Sequence, residues 1–393
     1  MIQKLFEDIR KADIDALITN HVREDRTIEY KQTLPGNSDE DKREFLADVS
    51  SFANAGGGDL LFGVTAVNGE PQVATGVKAD ADTEKLRLEN IIRDGLDPRI
   101  PVVQLHPYEG FPEGYVFMLR IPKSWAAPHM VKFKNLSRFY TRNSAGKHQM
   151  DTVELRAAFV LSESLPEKIK RFRDERLGRI IAGQTPLPLC TGAKIILHIL
   201  PIASFSAAFS IDMSKLQQQV QNLMPIVAFK GWQPRFNLDG FVTYCDSNAK
   251  EKSLSYCQIF RSGQIESVSA DLVTTYQGKR IIVGYEEEVL KAIQHYFNLL
   301  KTLEVPYPLL VSLAFTGVAG VHLSISNRIM NNSEPIDRDE LVFPDVLIEE
   351  YAQVSGPQAA AKILRPIFDA VWNSCGFERS FNYDDKGEWR SHP

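Results

Sequence analysis

The alternation of hydrophobic and polar residues in the first part of the chain predicts strands and helices that follow one another. Ile28 and Tyr30 occupy one face of a short predicted strand, and Glu29 and Lys31 occupy the other. Apolar residues at helical spacing and short apolar runs predict the remaining elements. The predicted strands cover residues 27–33, 59–64, 102–105, 115–121 and 138–141, and the predicted helices cover about 39–53, 83–96 and a stretch that begins at 151. We therefore predict a mixed α/β domain.

The later part of the chain carries a second set of such patterns. A charged helical stretch over residues 163–181 precedes residues 183–188, whose glycine and prolines are typical of a linker. Strand patterns and one helix over residues 287–303 follow. We therefore predict an α+β protein. Its predicted parts are a first domain over 1–160, a charged helix and linker over 161–189, and a second α+β domain of unassigned role over 190–393.

Composition limits the classes of protein to which the chain can belong. Its length of 393 residues suits two domains, and its net charge of -5 excludes a protein coated in positive charge. The four cysteines are scattered without metal-ligand spacing, which is typical of reduced thiols. The longest apolar runs are too short to cross a membrane. We therefore expect a cytoplasmic protein with no membrane partner.

One stretch of the sequence lacks acidic residues altogether. Between Glu113 and Asp151 there is no Asp or Glu, but there are seven Lys and Arg residues. A nucleic-acid backbone repels carboxylates, and each phosphate that a cation neutralises adds to affinity. The stretch therefore predicts a surface that binds the backbone of RNA or DNA, on which the cations face outward together without opposing carboxylates. The alternative is a solvated sheet edge whose lysines discourage strand pairing. The predicted nucleic-acid-binding residues are Lys132, Lys134, Arg138, Tyr140, Arg142 and Lys147.

Three motifs together resemble the Schlafen Alba-type domain, a family of nucleic-acid-binding modules. The first runs from Glu24 to Lys31 and reads Glu-x-x-x-x-Glu-Tyr-Lys. The second, over residues 51–64, reads Ser-Phe-Ala-Asn-Ala-Gly-Gly-Gly before an apolar strand, and the third, over 138–147, contains Tyr-Thr-Arg. The resemblance covers about a third of the chain, and residues 190–393 resemble no family that we can assign.

The resemblance implies a candidate enzymatic activity. Relatives include divalent-metal-dependent endoribonucleases that cleave structured RNA such as tRNA with three carboxylates. By resemblance, Glu24, Glu29 and Lys31 are candidate catalytic residues, and Glu24 and Glu29 are candidate ligands of Mg²⁺ or Mn²⁺. This sequence has Thr65 where the family has its third carboxylate, so Asp59 or Asp25 would have to replace it.

The residues themselves leave other functions open. A five-residue spacing places Glu24 and Glu29 on opposite faces of an unbroken strand, so they converge only if the chain bends. Glu29 could instead pair with Lys31 or with an arginine across a sheet. The alternatives to a nuclease are a non-catalytic DNA- or RNA-binding regulatory protein and a protein-interaction scaffold. No Walker-type loop is present, so no nucleotide cofactor is expected. The family also implies either a homodimer or a second domain that forms the other wall of the binding site, and a role in bacterial defence.

Overall fold

The computed structural model describes residues 1–2, 4, 6–143, 146–205, 209–228, 231–247, 252–324 and 333–390. The chain divides into two compact units, Met1–Glu167 and Lys168–Pro393. Both units combine helices with sheets, which confirms the predicted α+β class. No helix in these residues has the length and apolar character needed to span a membrane.

The first unit contains ten strands and three complete helices within its described residues, and a fourth helix crosses the division between the units. The helices are α1 (Lys11–Thr19), α2 (Asp39–Asn54), α3 (Ala81–Gly95) and α4 (Thr152–Ile181). The strands are β1 (Ile28–Lys31), β2 (Gly57–Phe62), β3 (Val64–Val67), β4 (Glu70–Ala74), β5 (Leu96–Asp97), β6 (Gln104–Phe111), β7 (Gly114–Pro122), β8 (Met130–Phe133), β9 (Leu136–Asn143) and β10 (Gly146–Gln149).

Two four-stranded sheets form the framework of the first unit. One has the order β1-β2-β7-β6, with β1 parallel to β2, and the other has the antiparallel order β10-β9-β8-β5. Strand β2 is buried along its whole length. Its alternate residues therefore belong to two apolar clusters. Leu60 and Phe62 pack with α2 and α3, whereas Leu61 packs with α1. Strands β3 and β4 form the hairpin that Asn68-Gly69 predicts.

Helix α2 connects the two sheets. Ser38 caps its first turn by accepting a hydrogen bond from the backbone N–H of Asp41 at 3.1 Å. Every residue from Phe45 to Ala53 is buried, so the second half of the helix packs into the interior. At its end, the Asn54 side chain donates to the carbonyls of His129 and Tyr140 and accepts from the backbone N–H of His129. Asn54 therefore ties α2 to β9 and to the residue that precedes β8.

The glycines after α2 allow the chain to turn in a crowded place. Gly57 has a φ of 77°, a conformation that residues with a Cβ rarely adopt. A Cβ on Gly58 would overlap the Phe52 ring and lie 2.7 Å from the Thr27 carbonyl oxygen. Gly56, by contrast, has open space around it. The run of glycines is therefore a structural elbow between α2 and β2.

The second unit is built on one large antiparallel sheet. The helices are α5 (Tyr285–Thr302) and α6 (Pro357–Asn373). The strands are β11 (Lys194–Pro201), β12 (Gln233–Phe236), β13 (Gly240–Asp246), β14 (Ser253–Phe260), β15 (Ile265–Ser269), β16 (Val273–Tyr276), β17 (Lys279–Ile282), β18 (Leu309–Thr316), β19 (His322–Leu323), β20 (Glu340–Val342) and β21 (Val346–Ile348). The large sheet has the order β12-β13-β14-β15-β11-β18-β20, with β21 also paired to β18, and a second sheet has the order β16-β17-β19. Helices α5 and α6 pack with the large sheet around the main apolar core.

A buried ion network anchors the second half of α4 to this sheet. Arg176 forms a bidentate pair with Glu266 at 2.7 and 2.8 Å, and Glu266 also accepts from the Tyr256 hydroxyl. His198 lies 3.0 Å from the same carboxylate. Burial alone would raise the pKa of Glu266, but Arg176 and His198 hold it at about 2. This part of the predicted charged helix is therefore packed against the sheet through Arg176.

We expect the glycine elbow to be intolerant of a side chain at Gly58 but tolerant of one at Gly56. Gly58→Ala should lower the free energy of unfolding by about 1–3 kcal/mol, because the new methyl group would be overpacked against Phe52. Gly56→Ala is the matched control and should change it by less than about 0.5 kcal/mol. Urea denaturation of both variants measures the difference. Equal stabilities of the two variants would contradict this packing.

Candidate nucleic-acid interface

Strand alternation separates the cations of the acid-free stretch onto two faces of the second sheet. In the β8–β9 hairpin, Lys132 lies opposite Ser137, whereas Arg138 lies opposite Val131, which is part of the core beneath α2. Arg142 lies on the same face as Arg138 and opposite Lys147 of β10. The expectation that all these cations face outward together is therefore wrong, because successive cross-strand pairs along a hairpin point to opposite sides of the sheet.

Acids from other elements also reach most of these cations. The stretch lacks carboxylates in sequence, but the fold brings carboxylates to it from β1, β2, α2 and β5. The expectation of a surface bare of acids is therefore wrong as well. The pairs are Arg120 with Asp59 (2.8 Å), Lys132 with Asp97 (3.2 Å), Lys134 with Asp39, Arg142 with Glu29 (2.8 Å), and Lys147 with Glu44 and with Asp48 (2.6 Å).

Arg138 differs from these paired cations. Its side chain is exposed, and Nη1 donates to the neutral Oε1 atom of Gln149 at 2.9 Å. Among the described residues, no carboxylate forms an ion pair with it. Lys134 lies in the hairpin turn that precedes β9, with a φ of 51°. Lys147 lies on β10, opposite Arg142 near the other end of β9. We call Lys134, Arg138 and Lys147 the cation row.

A cluster of charges lies where β1, α2, β9 and β10 meet. The ammonium group of Lys31 is 2.7 Å from a Glu29 oxygen and 3.5 Å from an Asp48 oxygen. The other Glu29 oxygen accepts from Arg142, and the other Asp48 oxygen accepts from Lys147. Two predicted catalytic residues and two predicted nucleic-acid-binding residues therefore share one site, and the fold adds Asp48 to them.

Arg142 is buried inside this cluster. Its side chain is only 3% exposed, and its guanidinium group lies 3.6 Å from the centre of the Phe52 ring. Nη2 donates to Glu29, whereas Nε and Nη1 are buried without a partner among the described residues. Arg142 was predicted to contact phosphate, but its position instead holds Glu29 against α2. Tyr140 is also half-buried and packs against the same apolar core.

The cluster shifts the proton affinity of its members in opposite directions. Burial alone would raise the pKa of Glu29, but Lys31 and Arg142 lower it below the ordinary value. Burial, and then the nearby charge of Glu29, raise the pKa of Asp48. Burial lowers the pKa of Lys31, but Asp48 and Glu29 outweigh it and raise that pKa. Lys31 is therefore a permanent cation and not a proton acceptor.

The predicted metal ligands do not converge. Glu24 accepts a hydrogen bond from the backbone N–H of Tyr30 at 2.9 Å, and its side chain lies beside the β3–β4 turn at Gly69. Asp25 accepts from the backbone and hydroxyl of Thr27. In the described part of the chain, neither carboxylate forms a hydrogen bond or ion pair with the side chains of the cluster around Glu29.

Asp59, the other replacement for the third carboxylate, is fully buried. It forms a bidentate pair with Arg120 and accepts from the backbone N–H of Ile2. Within the described residues, no group of three or more His, Cys, Asp or Glu side chains could hold a metal ion. The predicted set of Glu24, Glu29 and Asp59 or Asp25 therefore does not fit a metal in this structure.

Sequence reasoning missed Asp48 and Glu44. Both lie on α2, four residues apart, so they share a helix face and both reach Lys147. Asp48 is buried between Ala47 and Val49. An acid inside an otherwise apolar helical run was the available signal, since such a residue is rarely buried without a partner.

The motifs of the first unit match a known family. Residues 24–151 match the family model described as Schlafen, AlbA_2. This segment is similar to Schlafen AlbA_2 domains. The match confirms the resemblance predicted from the three motifs, although residues 144 and 145 of the third motif lie outside the described residues. The family suggests a function in nucleic-acid binding or nuclease-like chemistry.

The other comparisons add little to this assignment. No curated protein matches the chain. Among solved structures, the chain is similar to the crystal structure of the DIP2311 protein from Corynebacterium diphtheriae, with 17% identity and a TM-score of 0.26. The similarity covers 37% of this chain and 27% of that chain.

The Glu29–Arg142 pair generates a stability prediction. Glu29→Gln should lower the free energy of unfolding by about 3 kcal/mol, because it leaves the buried Arg142 charge uncompensated. Glu24→Gln is the matched control and should cost about 1 kcal/mol or less, since Glu24 is exposed. Chemical denaturation of both variants at neutral pH provides the measurement.

The stabilisation that the Glu29–Arg142 pair provides should also decrease at low pH. Because folding lowers the pKa of Glu29, this residue contributes its full share to the free energy of unfolding at pH values above its ordinary pKa of 4.5. That contribution is lost as the pH falls through the lower pKa of the folded state. The difference in free energy of unfolding between the wild type and Glu29→Gln should therefore narrow as the pH falls below 4.5. A gap that stays constant down to pH 3 would contradict the pair.

Proposed function

We propose that the first unit binds nucleic acid through the phosphate backbone, along the cation row of Lys134, Arg138 and Lys147. The observation that carries this proposal is the exposed guanidinium of Arg138, whose partner is a neutral amide oxygen. An unneutralised, exposed arginine is free to form charge-assisted hydrogen bonds with phosphate. The Schlafen AlbA_2 match over the same segment supports this assignment.

The carboxylates that cover the ends of the row do not prevent binding. The Lys134 and Asp39 side chains are 57% and 42% exposed, and exposed ion pairs contribute little free energy. At the other end, Lys147 is only 19% exposed, but its partner Glu44 is 60% exposed and lies on the solvent side. Phosphates can therefore replace both carboxylates. Along β9, Arg138 is four residues from Arg142, the residue opposite Lys147, which corresponds to about 13 Å. The row is therefore long enough to contact several phosphates of one strand.

Contacts of this kind position a backbone without reading its bases. We therefore propose RNA or DNA of any sequence as the ligand. A regulatory role without catalysis needs nothing beyond this binding. Cytoplasmic location, pairing of two copies and a role in defence remain predictions.

Arg138→Ala tests the binding proposal. It should weaken binding to a labelled RNA hairpin and to single-stranded DNA alike, and lower the slope of log K against log salt by about 0.7–0.9 for one lost phosphate contact. Arg23→Ala removes an equal charge beside the β3–β4 hairpin and serves as the control. Fluorescence anisotropy at several salt concentrations measures both. Equal effects of the two variants would exclude Arg138 from the interface.

Cleavage of structured RNA such as tRNA is the second candidate function. The observation that favours it is the contact of both Glu29 and Asp48 with the ammonium group of Lys31. Two carboxylates and a permanent cation suit a reaction at phosphate, where the cation offsets negative charge in the transition state. Because the predicted Mg²⁺ or Mn²⁺ ligands are dispersed, we assign no step to a metal ion.

A cleavage assay separates the two candidates. If the protein is an endoribonuclease, the wild type should cut tRNA with Mn²⁺ or Mg²⁺, and Glu29→Gln should abolish cutting. Glu7→Gln, which changes an exposed acid elsewhere, is the control. Melting curves must accompany the assay, since Glu29 also supports the fold. Absence of cutting by the wild type with either ion would contradict the enzyme and leave the binding function intact.

A further inference from the structure

We infer that Asp39 and Glu44 act as tethered competitors of phosphate, so that the cation row binds a strand of consecutive phosphates in preference to single phosphates. This inference rests on the proposed binding function and adds the ligand class that the site selects. It assigns a role in specificity to two acids of α2 that lie outside all three sequence motifs.

The first competitor covers the start of the row. Asp39, the first residue of α2, pairs with Lys134 in the β8–β9 turn. Both side chains are largely exposed, at 42% and 57%, so the pair can open towards solvent without uncovering a buried charge. Lys134 can therefore exchange its carboxylate for a phosphate at low cost.

The second competitor covers the other end. Lys147 is held by two acids with different freedom: Asp48 is 3% exposed, whereas Glu44 is 60% exposed. Asp48 stays in place because it is enclosed and also contacts Lys31. Glu44, on the solvent side, is the partner that an incoming phosphate would displace.

The row therefore has an open centre between two covered ends. Arg138, with its neutral partner Gln149, is available to the first phosphate. Once one phosphate of a strand is bound there, its neighbours are held near Lys134 and Lys147 at a high effective concentration. They can then displace Asp39 and Glu44. A free phosphate or a mononucleotide can occupy the Arg138 position, but it lacks this advantage at Lys134 and Lys147, where it must compete with a carboxylate that is already tethered.

The competitors should also alter the salt dependence of binding. Each phosphate contact releases counterions from the nucleic acid, which steepens the dependence of affinity on salt. Salt also screens the exposed pair of lysine and carboxylate, so the carboxylate becomes easier to displace as salt rises, which offsets part of that dependence. The wild type should therefore show a shallower salt dependence than three phosphate contacts would give.

The experiment measures binding of a labelled RNA hairpin to the full chain by fluorescence anisotropy across a salt series. Asp39→Asn and Glu44→Gln should each tighten binding by about two- to fivefold, and the double variant by about the product. Each change should also steepen the slope of log K against log salt by up to about 0.9. Unlabelled nucleoside monophosphate should compete poorly with the hairpin for the wild type and better for the double variant.

Two control variants carry the same change in net charge. Asp15→Asn removes an acid paired with Lys11 on α1. Glu70→Gln removes a half-buried acid of the β3–β4 hairpin that lies beside His21. Neither control should steepen the salt slope. Urea denaturation of all variants checks that they are folded.

The outcomes distinguish this inference from the proposed function. If the wild type binds the hairpin but Asp39→Asn and Glu44→Gln bind no tighter than the controls, the competitors are refuted and the binding function stands. If the monophosphate displaces the hairpin equally well from the wild type and from the double variant, the selection for strands is refuted. If neither the wild type nor the double variant binds the hairpin, the proposed function fails, and this inference fails with it.

Discussion

The ion pair between Arg142 and Glu29, stacked on Phe52, is the interaction on which the first unit depends. It joins β1, α2 and β9 at one buried point, and each of the three sequence motifs contributes one of its members. A buried guanidinium without its carboxylate would leave a charge in the interior, which costs several kcal/mol. The three motifs are therefore brought together by one electrostatic requirement, although they are far apart in sequence.

Around this pair, the charges divide into a buried part and an exposed part. Arg142, Glu29 and Asp48 are enclosed and hold the elements together, whereas Arg138 reaches solvent on the same side of the sheet. The enclosed part ties β9 to β1 and α2 through Arg142, and Lys147 of β10 to α2 through Asp48. Rigid placement lowers the entropy that a binding surface loses when it engages a ligand. The stability of the fold and the proposed binding function therefore use neighbouring members of one charge network.

Much of the fold followed from local patterns, whereas the environment of the charges did not. The Asn68-Gly69 turn, helix α2 and the buried strand after the glycine elbow are set by residues close in sequence. The position of Lys132 relative to Arg138 depends on the register of the β8–β9 hairpin, which places them on opposite faces. The acids that reach Lys134 and Lys147 depend on how α2 packs against the sheet. Those are long-range consequences of packing, so neither Asp39 nor Asp48 could be assigned as a partner from sequence alone.

The most direct test of the account is the coupling between Glu29 and Arg142 in a double-mutant cycle. The free energies of unfolding of the wild type, Glu29→Gln, Arg142→Met and the double variant would be measured by urea denaturation. We predict a coupling of about 2 kcal/mol or more, with the double variant more stable than Glu29→Gln alone, because it removes the uncompensated charge. Additive effects of the two substitutions, with a coupling near zero, would contradict the claim that this pair joins the three motifs.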